Sequence, residues 1–278
     1  MFRFIPDTPK SHTTFNNGNN AKVQHAPRPK KVIKGPILDH PGVLYDLQDP
    51  TVKVGELELP RGGRVILAFG MSKAGKSTAM RSLLKSYSLE NYFVFGLVIS
   101  KTAGFAANND WECFPKADVK LPSEELILKH IRDLQTMANA GVDIPPNVIV
   151  IDDCTGILGS SRTISEEFTN FIPNCRHTNT TLIVSTHQYA GAATMFRNNA
   201  DMVFIFMSND SENDKALHKS FGKYLPKPLN KFKHYEDWAP EHMRNHRALL
   251  FIADIANPRY YWYLSDNVSK TGWRLYPA

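Results

Sequence analysis

The chain has 278 residues, with 33 lysines and arginines, 27 aspartates and glutamates, and a formal net charge of +6. Residues 1–36 hold seven basic residues and one acid, so the rest of the chain is formally neutral. A basic protein is often a nucleic-acid binder, but here the excess charge belongs to one end. A hydrophobic content of 42% excludes global disorder. No apolar run approaches the roughly 20 residues of a membrane-spanning helix.

The cysteines and the N-terminus bear on the cellular compartment. The chain has three cysteines, Cys113, Cys154 and Cys175, and their spacing fits neither a disulfide framework nor a zinc site. The first residues lack the apolar core and small-residue cleavage site of a secretory signal. We therefore expect an intracellular protein that is neither secreted nor bound to a membrane.

Composition divides the chain into an arm and a body. Residues 1–45 are predicted to form a flexible basic arm, because their first 36 residues are rich in proline and asparagine and show no hydrophobic period. Residues 46–278 are predicted to form the folded domain, with a core at about 65–207 and a C-terminal extension at 208–278. The alternating stretch after Thr51 predicts the first strand of the body.

Five short apolar runs follow, and their residues are continuously apolar instead of alternating. Such runs are typical of strands that are buried on both faces of a parallel sheet. They lie at Val65–Phe69, Tyr92–Ile99, Val148–Ile151, Thr181–Ser185 and Met202–Phe206. Helices are predicted between them at Ser77–Ser86, Ser123–Ala138 and Ile164–Ile172. This alternation indicates an α/β fold with a mainly parallel sheet flanked by helices.

The C-terminal extension begins with a polar helix, predicted over Glu212–Tyr224. Two strands follow at Ala248–Ala253 and Tyr260–Leu264, and Asn257 and Pro258 provide turn residues between them. We predict that these strands pair as a C-terminal β-hairpin.

A phosphate-binding motif lies between the first apolar run and the first helix. Residues 70–77 read GMSKAGKS and match the pattern GxxxxGK[ST]. The glycines let successive N–H groups point inward, and the helix start adds the positive end of its dipole, so the loop suits the β- and γ-phosphates of ATP. Lys76 would place its charge on the phosphates and Ser77 would ligate Mg²⁺. The predicted nucleotide-binding residues are Gly70, Met71, Ser72, Lys73, Ala74, Gly75, Lys76, Ser77 and Thr78.

The strand at Val148–Ile151 ends in two carboxylates, Asp152 and Asp153, and resembles a Walker B element. Asp152 is predicted to hold the Mg²⁺ shell together with Ser77. Asp153 is predicted to orient and deprotonate the attacking water. Glutamate is usual at the second position in motor ATPases, so a loop or helix-capping role for Asp153 stays open.

The next strand ends in Thr186, His187 and Gln188. The amide of Gln188 both donates and accepts, and we predict that it senses the γ-phosphate or positions water. The alternative is that these three residues cap the following segment. Arg176 and Arg197 are candidate arginine fingers for a neighbouring subunit's site, with Arg176 preferred, or ordinary ion-pairing residues at the surface.

Lys215, Lys219 and Lys223 are spaced by four residues within the polar helix. This spacing places them on one helix face. Such a stripe would bind DNA phosphates without sequence preference, as a translocating motor requires. A solvated helix face is the alternative.

Taken in chain order, these motifs resemble those of viral DNA-packaging ATPases of the FtsK-HerA superfamily, found in large nucleocytoplasmic DNA viruses and their virophages. The resemblance covers residues 65–206, about half of the chain. Aspartate at position 153 departs from the usual pattern. The residues that carry the resemblance are the phosphate loop, Asp152-Asp153, Asn174–His177, Gln188-Tyr189 and Phe196–Asp201.

The resemblance implies a P-loop NTPase with a RecA-like (ASCE) sheet, whose subunits form a homo-oligomeric ring that hydrolyses ATP and pumps double-stranded DNA into a capsid. It also implies a location in the virus factory of the host cytoplasm or in the virion. The N-terminal arm could contact DNA or a capsid protein. Three alternatives stay open: a P-loop nucleotide or nucleoside kinase, a DNA helicase of the same superfamily, and a non-catalytic assembly protein that binds nucleotide.

Overall fold

The computed structural model describes residues 42–49, 51–58, 61–103, 110–154, 164–189, 194–253, 259–265 and 272–276. Most of the predicted arm and the turn residues Asn257 and Pro258 lie outside these ranges. The strands are β1 (Gly42–Tyr45), β2 (Lys53–Glu56), β3 (Val65–Phe69), β4 (Phe95–Ser100), β5 (Val119–Lys120), β6 (Asn147–Asp152), β7 (Thr180–Thr186), β8 (Met202–Ile205), β9 (Ala248–Ile252) and β10 (Arg259–Ser265).

Six α-helices connect these strands in the described part of the chain. They are α1 (Lys76–Leu89), α2 (Glu124–Asn139), α3 (Glu166–Asn174), α4 (Thr194–Asn199), α5 (Ser211–Phe221) and α6 (Phe232–His242). The helix predicted over Glu212–Tyr224 ends as an α-helix at Phe221 and continues as a 3-10 turn over Gly222–Tyr224. The predicted strand at Tyr92–Ile99 begins three residues late, at Phe95.

All ten strands form one sheet in the order β2-β1-β10-β9-β8-β3-β7-β6-β4-β5. The six strands from β8 to β5 run parallel to one another, and the other four pair antiparallel, including β9 with β8. The predicted α/β fold with a mainly parallel sheet is therefore confirmed. The C-terminal hairpin is also confirmed, since β9 and β10 pair from Arg259 with Ile252 to Tyr263 with Ala248.

The predicted boundary of the arm at residue 45 is wrong by at least four residues. Gly42–Tyr45 form strand β1, which pairs with β10 on one side and β2 on the other. Val43 and Leu44 are buried there. The strand has four residues and its partner β10 lies at the far end of the chain, so no local pattern in the sequence announces it.

Both faces of the central sheet are covered, which explains the continuous apolar runs. In β3, Val65, Leu67 and Phe69 join a core cluster with residues of α2, α3, α5 and α6. Ile66 and Ala68 point to the opposite face and pack with residues of α1 and with Trp111. Alternate side chains thus enter two different cores, and each fully buried aliphatic side chain contributes roughly 1.5–3 kcal/mol to folding.

Side-chain caps fix where several helices begin. The Ser123 hydroxyl accepts a hydrogen bond from Leu126 N at 3.4 Å at the start of α2, and Ser165 caps α3 through Phe168 N at 3.3 Å. Asp210 accepts from Glu212 N at 3.0 Å at the start of α5. Such caps satisfy N–H groups that the first turn leaves without a partner.

The sequence raised expectations about membrane-spanning helices and about the three cysteines. In those ranges, no helix combines the length and the apolar character needed to cross a bilayer. Cys113, Cys154 and Cys175 are buried and unpaired. Burial raises the pKa of Cys113 and Cys154 to about 12 and that of Cys175 to about 11, so these thiols stay protonated and act as small apolar core residues.

Candidate nucleotide-binding site

The phosphate loop runs from the end of β3 into α1 and is closed tightly by two glycines. Gly70 has a φ of 152° and Gly75 a φ of 115°. A Cβ atom at Gly70 would lie 2.6 Å from Phe206 Cβ, and one at Gly75 would lie 3.1 Å from His246 Cβ. Both positions therefore require glycine for conformation and for space.

Helix α1 begins without a side-chain cap of the kind that starts α2, α3 and α5. Its N-cap residue is Gly75, which offers no side chain, and its first turn carries no acidic residue. In contrast, α2 and α3 each begin with a serine cap and two glutamates. The first N–H groups of α1 thus have no side chain of the helix as a partner, and the positive end of the helix dipole favours an anion there.

Lys76 is 6% exposed, and its ammonium group lies inside the curve of the loop. Its Nζ atom donates to Gly70 O at 2.8 Å and to Met71 O at 3.0 Å, and lies 3.0 Å from His187 Nδ1. Burial lowers the pKa of Lys76 to about 8, against the raising effect of the Asp153 and Asp152 charges. The lysine is therefore held in place by the loop's own carbonyl groups.

Asp152 ends β6 level with Ser100 of β4 and Ser185 of β7. Ser185 Oγ donates to Asp152 Oδ1 at 2.5 Å, while Trp111 Nε1 at 3.0 Å and Ser100 Oγ at 3.3 Å donate to Oδ2. Burial raises the pKa of this carboxyl, and the hydrogen bonds from Ser185 and Trp111 oppose the rise. The parallel register of the three strands thus fixes the Asp152 carboxylate as an acceptor at the carboxyl ends of these strands.

Asp153 leaves the strand in a left-handed conformation, with a φ of 52°. Its backbone N–H donates to Ser185 O at 3.2 Å and to Ser185 Oγ at 3.1 Å. Side-chain Oδ2 lies 2.7 Å from His187 Nε2, while Oδ1 is buried and has no hydrogen-bond partner within the described ranges. A left-handed aspartate with an unsatisfied buried oxygen is the kind of strained feature that collects at functional sites.

His187, and not Gln188, is the residue after β7 that lines the cleft. Its imidazole lies between Lys76 and Asp153, with Nδ1 also 2.9 Å from Gly70 O. Gln188 is exposed, and its backbone N–H donates to Thr186 Oγ1 at 3.1 Å while its carbonyl accepts from the same hydroxyl at 3.5 Å. The structure therefore places the Gln188 side chain outside the cleft that contains Lys76 and Asp153.

These residues surround one cleft of about 650 Å³ at the carboxyl ends of the parallel strands. Clefts of this size at this edge of an α/β sheet are the usual place for ligands. The cleft is lined by Ser72, Lys73, Gly75, Lys76, Ser77, Thr78, Arg81, Ser100, Lys101, Thr102, Asp110, Asp152, Asp153, His187, Asn245, His246, Leu264 and Ser265.

Two lining residues come from the C-terminal extension and were not predicted. Asn245 and His246 follow α6 with φ values of 59° and 62°, both in the left-handed region. His246 packs against the loop, since its Cβ limits the space beside Gly75. Asparagine and histidine tolerate this conformation better than most residues, but that preference is too weak a signal to reveal a site from the sequence.

Arg176 lies at the amino ends of the parallel strands, whereas the phosphate loop lies at their carboxyl ends. It belongs to a 3-10 turn over Cys175–Thr178 that precedes β7, and β7 runs parallel to β3. Its Cα is so close to Gly63, just before β3, that a Cβ on that glycine would lie 2.3 Å away. The exposed Arg176 side chain is thus remote from the cleft of its own chain.

Arg197 and the predicted lysine stripe have different surroundings. The Arg197 guanidinium lies over the Tyr189 ring at 5.4 Å and donates to Thr194 Oγ1 at 3.0 Å. Lys215, Lys219 and Lys223 are all exposed on α5 and the turn that follows it. Lys215 lies 3.6 Å from Glu212, and Lys223 lies over the Tyr224 ring at 4.6 Å. None of these four residues lines the cleft.

The cleft holds oxygen donors of the kind that Mg²⁺ prefers. Within the described ranges, no group of three or more His, Cys, Asp or Glu side chains could hold a metal by itself. Mg²⁺ in nucleotide sites takes only one or two carboxylates and completes its shell with water and phosphate oxygens. The Ser77 hydroxyl and the Asp152 carboxylate line the cleft together and fit a site of that kind.

A phosphate loop after β3, paired carboxylates at the end of β6, and β7 between these strands define a P-loop NTPase fold of the RecA-like type. No protein-family model matches the chain. In sequence it is 28% identical over 238 residues to uncharacterized protein 075L of Invertebrate iridescent virus 6, across 79% of this chain and 85% of that protein.

Solved structures share this fold. The genome packaging NTPase B204 of Sulfolobus turreted icosahedral virus 2, in complex with ATP-gammaS, has a TM-score of 0.52 and 12% identity over 72% of this chain and 96% of that one. EssC (ATPases 2 and 3) of Geobacillus thermodenitrificans has a TM-score of 0.54 and 15% identity over 84% of this chain and 45% of that one. The resemblance to packaging ATPases drawn from the motifs is thus confirmed at the level of the fold.

Proposed function

We propose that this chain is an ATPase that couples hydrolysis to movement along double-stranded DNA, and that it packages a viral genome into capsids. One observation carries the proposal: Lys76 of the phosphate loop and Asp153 after β6 lie in the same cleft, joined through His187 by contacts of 3.0 Å and 2.7 Å. A cation for the phosphates and a carboxylate for water are the two groups that hydrolysis of a nucleoside triphosphate needs.

In this proposal the phosphate loop binds the triphosphate of ATP. The first N–H groups of α1 and the Lys76 ammonium would bind the β- and γ-phosphates. The Ser77 hydroxyl and Asp152 would hold Mg²⁺, which supplies positive charge to the phosphate oxygens. The three hydrogen bonds from Ser185, Trp111 and Ser100 fix the orientation of Asp152 for that task.

Asp153 would accept the proton of the attacking water. Its Oδ1 atom is buried with no hydrogen-bond partner among the described residues, and Asp153 lines the cleft beside the phosphate loop. A carboxylate with one restrained and one unsatisfied oxygen can orient a water molecule and take up its proton. This arrangement favours hydrolysis over transfer of the phosphoryl group to a second substrate, because the base is already in the phosphate cleft.

Arg176 supports an assembly in which subunits contact one another head to tail. It is exposed at the amino ends of the parallel strands, opposite to the cleft, so it cannot act on the nucleotide of its own chain. In a ring of subunits joined by heterologous contacts, the surface at the amino ends of these strands would face the cleft of the next subunit. Arg176 would then complete the neighbouring site as an arginine finger.

DNA binding is proposed for the exposed lysines of α5 and its following turn. Lys215, Lys219 and Lys223 would contact phosphates without reading sequence. The basic N-terminal arm is proposed to contact DNA or a capsid protein. A place in the virus factory of the host cytoplasm or in the virion follows from this function. The relationship to an iridescent-virus protein and the fold of B204 support the viral assignment.

Phosphate release from ATP, measured with and without linear duplex DNA, tests the proposal. We expect DNA to stimulate turnover by the wild type, and Asp153→Asn to lose turnover with and without DNA. Asp237→Asn, an exposed change on α6 outside the cleft, serves as the control and should behave as wild type. Transfer of phosphate to an added nucleoside would instead favour the kinase, and turnover indifferent to DNA would contradict the translocase.

A further inference from the structure

When His187 carries its proton on Nε2, the Lys76 ammonium group has a protein acceptor for each of its three N–H bonds. Gly70 O lies at 2.8 Å, Met71 O at 3.0 Å and His187 Nδ1 at 3.0 Å. An ammonium has three donors and no more. In that state a phosphate oxygen can bind Lys76 only by replacing one of these partners, and His187 Nδ1 is the only one of the three that can change from acceptor to donor.

The two ring nitrogens of His187 have linked roles. If Nε2 carries the proton, it donates to Asp153 Oδ2 at 2.7 Å while Nδ1 accepts from Lys76. If Nδ1 carries the proton, it donates to Gly70 O at 2.9 Å, and the neutral ring has no hydrogen left for Asp153. A neutral imidazole has one donor and one acceptor, so only one of these arrangements exists at a time.

We propose that His187 is a positioning residue that restrains Asp153 until a triphosphate occupies Lys76. When a phosphate oxygen takes the place of Nδ1 on Lys76, Nε2 gives its proton to solvent and Nδ1 takes one from solvent, so the net charge of the ring is unchanged. Nδ1–H then donates to Gly70 O, and Asp153 Oδ2 is released to act on water. The inference rests on the proposed ATPase function and adds a control of its base by the phosphate loop.

The two contacts can be separated by amide substitutions. In an asparagine at position 187, the amide lies near the place of Nδ1 and can still accept from Lys76, but it is too short to reach Asp153. In a glutamine, the amide lies near the place of Nε2 and can still donate to Asp153, but it leaves Lys76. His187→Asn and His187→Gln therefore each keep one half of the bridge.

The experiment measures the Kd of AMPPCP by calorimetry and the kcat of ATP hydrolysis for the wild type and both variants. His187→Gln should bind AMPPCP about 3- to 10-fold more tightly, since the phosphate no longer displaces a hydrogen bond, and its kcat should fall because Asp153 stays restrained. His187→Asn should keep the wild-type Kd without a fall in kcat. His234→Asn, an exposed change on α6, is the control, and thermal unfolding verifies folding of each variant.

Each outcome decides the inference. Equal behaviour of the two amide variants would overturn it, as would loss of turnover in both with unchanged Kd, which would make His187 a direct participant in the chemistry. If an amide variant does not fold, the same comparison is made with His187→Ala, which should bind AMPPCP more tightly with no fall in kcat. If the wild type neither binds AMPPCP nor hydrolyses ATP, the proposed function itself is wrong, and the inference is overturned with it.

Discussion

Ser185 and Asp152 lie opposite each other on β7 and β6, and the Ser185 hydroxyl donates to Asp152 Oδ1 at 2.5 Å. The same hydroxyl oxygen accepts from the backbone N–H of Asp153 at 3.1 Å. One small side chain therefore contacts the carboxylate of Asp152 and the backbone of Asp153. It can do so because the parallel register brings the carboxyl ends of the two strands level with each other.

Ser185→Ala should impair catalysis more than nucleotide binding. A hydrogen bond to a charged group contributes about 1.5–3 kcal/mol, so the free energy of unfolding should fall by about 2 kcal/mol. The kcat for ATP should fall while KM changes little, because the phosphate loop is untouched. Ser100→Ala, which removes the longer 3.3 Å contact to Asp152, is the matched control and should have the smaller effect. Steady-state kinetics and denaturant unfolding provide both readouts.

Gly75→Ala should weaken nucleotide binding and stability together. The alanine would have to hold a φ of 115° and approach His246 Cβ at 3.1 Å. Strain of this kind costs about 1–3 kcal/mol. Gly141→Ala is the control, because Gly141 also has a positive φ, 71°, but open space around it. AMPPCP titration should separate them: unchanged affinity in Gly75→Ala would contradict a close fit of this loop to the nucleotide.

Asp214→Asn should stabilise the protein at neutral pH. Burial raises the pKa of Asp214 to about 6, from 3.8 in an unperturbed aspartate, so ionising it costs folding free energy. Between pH 4 and 6 the folded state binds more protons than the unfolded state, and stability falls as pH rises. Allowing for partial exposure, the variant should gain about 1 kcal/mol at pH 7.

The gain from Asp214→Asn should be complete above about pH 7 and disappear below about pH 3, where the aspartate is protonated in both states. Denaturant unfolding across this range measures it. Asp237→Asn, an exposed change on α6, should give no such gain. A gain that is constant across the whole pH range would show that the effect does not come from ionisation of Asp214.

Arg176→Ala should lower the kcat of ATP hydrolysis by about 10³-fold, the scale of arginine fingers, without affecting AMPPCP binding. Mixing it with inactive Asp153→Asn should restore activity. In mixed rings, the intact Arg176 of one variant meets the intact Asp153 of the other at about one quarter of the interfaces if assembly is random. Arg197→Ala mixed in the same way is the control. Absence of any recovery in rings of proven mixed composition would argue against action between subunits.

The parts of the fold that were predictable are those whose cause is local. Strand β3 is continuously apolar because it is buried between two helix layers, and the glycines at 70 and 75 are required by the loop itself. The paired carboxylates were predictable because they end a buried strand. Each of these features leaves a pattern within a few neighbouring residues.

What was missed depends on residues that are distant in the chain. Strand β1 exists because β10 provides an edge for it, and Asn245 and His246 reach the cleft only because the C-terminal extension folds back over the phosphate loop. The assignment of Gln188 as the sensing residue illustrates a third cause. Which side chain after a strand enters a cleft depends on how the backbone leaves the strand, and here that residue is His187.

The central claim is that ATP hydrolysis in the cleft moves the protein along duplex DNA. The most direct measurement is displacement of a fluorescent triplex-forming oligonucleotide from linear duplex DNA, followed with ATP, with AMPPCP and with the Asp153→Asn variant. The account predicts displacement by the wild type with ATP, and none with AMPPCP or with Asp153→Asn. A wild type that hydrolyses ATP in the presence of the duplex but never displaces the oligonucleotide would contradict it.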